Sequence, residues 1–209
     1  MDFSNCLFIE NQYFPIVNWF KYSFGKKYIV LPSCEMYQKM SFRNRTVICG
    51  SNGLIHLSVP IEKGRNQKLP FKEVKISYRE NWQLNHWRSI VSCYGKSPFF
   101  SFYEYELQKF FTGKQVFLFD LNLEIVEWLK GVLKMPAEIV VDDGGLTARG
   151  DTKCDNMTNR WLPKNFQEGE NEIKYVQVFE DRIGFQPNLS ILDLLFNTGV
   201  EAGALLKNG

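Results

Sequence analysis

Two short apolar runs, CLFIE (6–10) and KKYIVLP (26–32), are separated by a stretch that reads as a helix. NQYFP breaks the first run, and Pro15 is placed to open a helix. IVNWFKYSFG (16–25) then sets Ile16, Trp19, Phe20 and Phe24 near one helical face, with Gly25 as a stop. A strand, a helix and a strand within about thirty residues have the length of a parallel crossover, which needs a dozen or more residues of connection. This unit constrains the chain to an α/β class more firmly than any other feature.

The rest of the chain changes character twice. RTVICGSNGLIHLSVPI (45–61) is a hairpin pattern, with Val47 and Cys49 before a Gly-Ser-Asn-Gly turn and Leu54, His56 and Ser58 after it. EKGRNQKLPF (62–71) is a polar loop, and KEVKISY (72–78) reads as a short strand. Helical spacing then dominates in 80–95, 99–113 and 120–136, the last ending at a proline. AEIVV (137–141) returns to a strand that DDGG ends, and residues 146–172 form a polar surface excursion. YVQVF (175–179) is a last strand candidate, and SILDLLFNTG (190–199) is the final clear helix. The expected fold is a single α/β domain over 1–209. It has a mixed sheet, an N-terminal strand-helix-strand unit and a β-hairpin, followed by a helix-rich half.

Composition narrows the function classes. Lys and Arg total 25 against 23 Asp and Glu, which argues against a nucleic-acid binder with a basic surface and leaves room for a local basic pocket. Aromatic residues make up 15% of the chain, enough for a heavy core or a cleft that stacks flat ligands or sugars. The five cysteines (Cys6, Cys34, Cys49, Cys93 and Cys154) show no metal spacing and read as reduced thiols. No apolar run approaches the ~20 residues of a membrane span, and no signal peptide is visible. A cytoplasmic protein is expected.

Four blocks resemble the WbqC-like family of bacterial proteins. They are QYFPIVNWF, EMYQKMSFRNRTVI, NWQLNHWRSIVSCYGKSPFF and FQPNLSILDLLFNTG, in the family's order and covering most of residues 8–200. Where many members carry a His-Gln pair, this chain has ENQ (10–12), and where many carry an acidic pair, LPSCE (31–35) offers only Glu35. The family is associated with gene clusters for surface polysaccharide. The resemblance therefore implies a role on an activated sugar, by group transfer on a nucleotide-linked or phosphorylated sugar. The rival is a non-catalytic protein that recognises a glycan precursor or a partner enzyme.

The candidate site residues follow from these blocks. In SFRNR (41–45) the arginine fork suits phosphate or carboxylate, and strand alternation would send Arg43 and Arg45 to one face and Asn44 to the other. A solvated strand entrance is the competing reading. Lys39, Asn44 and Arg45 fall on the family's motif positions, which favours an anion site there, with Tyr37 beside them. Trp82 and His86 share a helix face at i and i+4, and His86 can trade protons near neutral pH. A buried core histidine is the alternative. Tyr13 lies just beyond the first strand, where open α/β sheets bind ligands. Ser190 and Asp193 have capping-box spacing, although Asp193 is also a catalytic candidate. Trp87 and Tyr94 complete the proposed sugar pocket. His56 has no polar company in its strand and reads as structural. No metal set and no cofactor are expected, and the implied partner is a small anionic substrate.

Overall fold

The computed structural model describes residues 5–64, 68–145, 154–168 and 172–209. In chain order the elements are β1 (Cys6–Phe8), α1 (Val17–Ser23), β2 (Tyr28–Pro32), β3 (Arg45–Gly50) and β4 (Gly53–Ser58). The helices α2 (Trp82–Tyr94), α3 (Phe100–Thr112) and α4 (Leu118–Val132) follow. Then come β5 (Glu138–Asp142), β6 (Asp155–Asn156), α5 (Glu180–Ile183), α6 (Ile191–Thr198) and α7 (Ala202–Asn208). The fold is α/β, with a four-stranded parallel sheet and a separate antiparallel hairpin.

The crossover expected from the first thirty residues is present. β1 and β2 run parallel, with Cys6 opposite Tyr28 and Phe8 opposite Val30. Sheet order is β5-β2-β1-β6. Every residue of β1 and β2 is buried, as expected of central parallel strands covered on both faces. The hairpin of β3 and β4 sits apart, paired from Arg45–Ser58 to Gly50–Gly53. Trp19 and Phe20 of α1 are fully buried, and α1 packs against α6 and α7. α4 covers the 3-10 turns at Phe42–Asn44 and Phe71–Glu73.

Several expectations are corrected. Residues 72–78 do not form a strand; they make single bridges, Ile61 to Ile76 and Lys75 to Phe117, after the turn at Phe71–Glu73. Residues 175–179 are also irregular, because Tyr175 and Gln177 turn their polar ends inward to Asp193. α7 lies beyond the last helix expected. The polar excursion is not all surface: residues 146–153 and 169–171 lie outside the described residues, but β6 pairs with β1, and Trp161 and Phe166 are buried. The reading of five reduced thiols fails at Cys6 and Cys154, which are disulfide-bonded across the β1–β6 pair with Cα atoms 4.7 Å apart. Cys34, Cys49 and Cys93 are free thiols.

Candidate functional site

The loops leaving the carboxyl ends of the parallel strands bring together Glu10 after β1, Glu35 after β2 and Asn159 after β6. Arg43 ties them. Its Nη1 donates to Asn159 Oδ1 at 2.6 Å and its Nη2 donates to Glu35 Oε2 at 3.1 Å. SFRNR does not enter β3 as an extended run. Ser41 accepts from the Arg43 backbone N–H and caps a 3-10 turn at Phe42–Asn44. That turn rotates Arg43 into the interior, where it is 1% exposed, and leaves Arg45 on the opposite side at the start of β3. The alternation that would pair the two arginines on one face is corrected, for this reason.

Glu10 is equally buried. Its carboxylate accepts from Gln12 Nε2 and from the Asn159 backbone N–H, both at 2.7 Å. Burial raises its pKa, while the charge of Arg43 and these hydrogen bonds pull it back. Arg43 Nε and the Asn11 and Asn122 Oδ1 atoms are buried with no hydrogen-bond partner among the described residues. Arg43 is therefore a clamp. It ties the loop carrying Lys39 and Arg45 to the loop that leads from β6 to Lys164.

Those two loops enclose a cavity of about 540 Å³. Lys39, Arg45 and Lys164 line it together with His56 and Gln38, over an apolar floor of Met40, Leu162 and Pro163. None of these eight is acidic. Arg45 stands opposite Ser58 in the hairpin, so His56 lies on the diagonal from it. His56 is exposed, and partial burial together with the charge of Arg45 lowers its pKa. A second cavity of about 370 Å³ shares Met40 and Arg45 with the first, and Tyr37, Asn44 and Ser58 are on its walls. The Tyr37 hydroxyl donates to Asn44 Oδ1 at 2.9 Å, and Asn44 Nδ2 donates to the Val59 carbonyl at 2.9 Å.

The remaining candidates are elsewhere. Tyr13 and His86 meet in the core, with 3.0 Å between the tyrosine oxygen and Nδ1. Trp82 packs edge-on to both, and its indole N–H is buried without a hydrogen-bond partner among the described residues. Burial draws the His86 pKa down to about 4, with a hydrogen bond to the Ser58 backbone acting in the other direction. Trp87 packs on Phe100 and Phe111. Asp193 is 1% exposed and accepts from the Tyr94 and Tyr175 hydroxyls at 2.8 and 2.7 Å and from Gln177 at 2.8 Å. Ser190 caps α6, but the Asp193 carboxylate does not complete a capping box; it goes to the tyrosines.

The sequence offers eleven candidates, as an anion site, a sugar pocket and the two catalytic candidates His86 and Asp193. The structure brings Lys39 and Arg45 to one cavity, with Tyr37 and Asn44 on its neighbour, and buries the others in the core except Trp87, which is half-buried against it. It also adds Lys164, which carried no signal in a polar segment, and His56, whose polar company comes from the partner strand. Glu10 and Asn159 were missed as well, although Glu10 stands in ENQ, where the chain departs from the family pattern.

No solved structure matches the chain. An uncharacterized protein of Mycobacterium tuberculosis (strain ATCC 25618 / H37Rv), Rv1507c, is 27% identical over 225 residues, covering 95% of this chain and 96% of its own length. The model of the WbqC-like protein family matches residues 11–159, a span holding Arg43, both cavities' hairpin walls and the loop to Asn159, and the chain belongs to that family.

Proposed function

We propose that this protein is an enzyme of surface-polysaccharide biosynthesis that acts by group transfer on a nucleotide-linked or phosphorylated sugar. The observation that carries the binding half is the convergence of Lys39, Arg45 and Lys164 on one cavity whose described walls hold no carboxylate. A guanidinium fork and two ammonium groups on the walls of one cavity offer the N–H donors and the charge that phosphate oxygens accept. In this reading Arg45, Lys39 and Lys164 hold the phosphate. Arg43 positions their two loops, and His56 takes a proton at the rim. The association of the family with polysaccharide gene clusters supports the substrate class. Among the described residues no helix is long and apolar enough to cross a membrane.

The second reading is a non-catalytic protein that binds a glycan precursor. It is favoured by one observation: His86 and Asp193 sit in buried hydrogen bonds and are not on the cavity walls. Thermal unfolding against a panel of sugar phosphates and nucleotide sugars tests the proposal. Ligand at ~100 times its dissociation constant should add about 2.7 kcal/mol. The Lys39→Ala/Lys164→Ala variant should lose that gain. No stabilisation by any member of the panel would falsify the anion site. Release of nucleoside diphosphate, or a mass change in the sugar, marks catalysis, and binding with neither marks the second reading.

A further inference from the structure

Arg45 lies on the boundary of two cavities. It lines the cationic one, about 540 Å³, and the neighbouring one, about 370 Å³, and only Met40 does the same among the described lining residues. Its Nε is buried and has no hydrogen-bond partner among the described residues. A guanidinium carries five N–H donors in a fixed fork, so one that lines two cavities has donors to offer a ligand that spans both. The two lobes differ in chemistry. The first holds Lys39, Lys164 and His56; the second, Arg45 aside, is walled by neutral groups such as Tyr37, Asn44, Ser58 and Ile61. The polar atoms of Tyr37 and Asn44 are fixed by their bond to each other and by the Val59 carbonyl, so that wall keeps its shape when a ligand enters.

We infer that the two lobes form one bipartite site, which takes a nucleoside diphosphate sugar in preference to a sugar monophosphate. The diphosphate crosses the boundary, accepting from the Arg45 guanidinium and meeting the cations of the first lobe. The neutral lobe takes the nucleoside, an uncharged group with a flat face and hydroxyls. A sugar monophosphate occupies the first lobe alone and leaves the second to water. Lobes of these sizes lie in or near the range of ligand sites, about 300 to 1,000 Å³, and their sum suits a ligand of two joined parts. This inference rests on the anion-site reading above and deepens it by naming the substrate class.

Calorimetric titration of the full chain decides it, with inorganic phosphate, glucose 1-phosphate and the uridine, thymidine and guanosine diphosphoglucoses as probes. At least one nucleoside diphosphoglucose should bind tenfold or more tighter than glucose 1-phosphate. Ser58→Trp, which fills the neutral lobe, should erase that preference and leave glucose 1-phosphate affinity within about twofold. Ser58→Glu, which offers Arg45 a competing carboxylate across the hairpin, should weaken every probe. Both variants are first shown to melt like wild type, and Ile61→Trp, on the same wall, takes the place of Ser58→Trp where that variant does not. Equal affinity for glucose 1-phosphate and all three nucleotide sugars overturns the bipartite site while sparing the anion site. A tenfold preference that survives Ser58→Trp overturns it too. Failure of every probe to bind removes the anion site itself and the inference with it.

Discussion

Replacing Arg43 by Met should destabilise the fold by an amount that depends on pH. Methionine keeps the unbranched apolar stem, which leaves the packing nearly unchanged, and removes the guanidinium. The loss has three parts: the bond to Asn159 at 2.6 Å, the ion pair with Glu35 at 3.1 Å, and the charge that offsets Glu10. Glu35 is 35% exposed on its side chain, so its share is screened and small. Glu10 is 1% exposed and has no such relief. Removing one partner of a buried charge pair costs about 3–5 kcal/mol, and the partly wet Glu35 arm puts this site at the lower end, about 3 kcal/mol near neutral pH.

The pH dependence follows from Glu10. Burial raises its pKa above the ordinary 4.5, and Arg43 lowers it again. Without Arg43 the folded pKa climbs further. A carboxyl whose folded pKa exceeds its unfolded one binds more protons when folded, so stability falls as pH rises between the two values. The Arg43→Met deficit should therefore widen from acid toward neutral pH. Urea unfolding followed by tryptophan fluorescence, at about pH 5 and about pH 8, measures it. Glu10→Gln placed in the Arg43→Met background should recover part of the loss and flatten the pH response. A deficit under about 1 kcal/mol at neutral pH, or one that stays constant with pH, would show that Arg43 is not the clamp.

His86 gives the opposite slope: its folded pKa of about 4 lies below the unfolded 6.5, so the unfolded chain binds the extra proton and stability is lost as pH falls through that interval. The loss amounts to about 3 kcal/mol, and His86→Gln, which keeps a partner for Tyr13, should abolish it in acid titrations of stability; an unchanged acid limb would mean the imidazole is solvated. The Cys6–Cys154 bond closes a loop with a sequence separation of 148 residues. Reduction, or the Cys6→Ser/Cys154→Ser variant, should cost about 5 kcal/mol in the chain-entropy treatment, read as a fall in Tm, and an equal Tm with and without reductant refutes the latch.

What the chain determines by itself is local. The strand-helix-strand unit, the hairpin and α2 to α4 are legible because side chains within one turn or one ladder decide them. The period of Trp82, His86 and Ile90, or the Gly-Ser-Asn-Gly turn, needs no distant partner. The family too is legible, from blocks that keep their order. Tertiary structure alone decided the rest. β6 has two residues, too few for any pattern, and exists because β1 offers an open edge. The same pairing places Cys154 against Cys6. Arg43 and Arg45 look equivalent in the sequence, but one capped turn sends the first inward to Glu35, Asn159 and the charge of Glu10, and the second to a cavity wall. Lys164 joins Lys39 across more than a hundred residues, and Asp193 finds Tyr94 at a separation of 99. Such meetings depend on how the sheet and helices pack, since a charge enters the interior only where partners from other elements already converge to hold it.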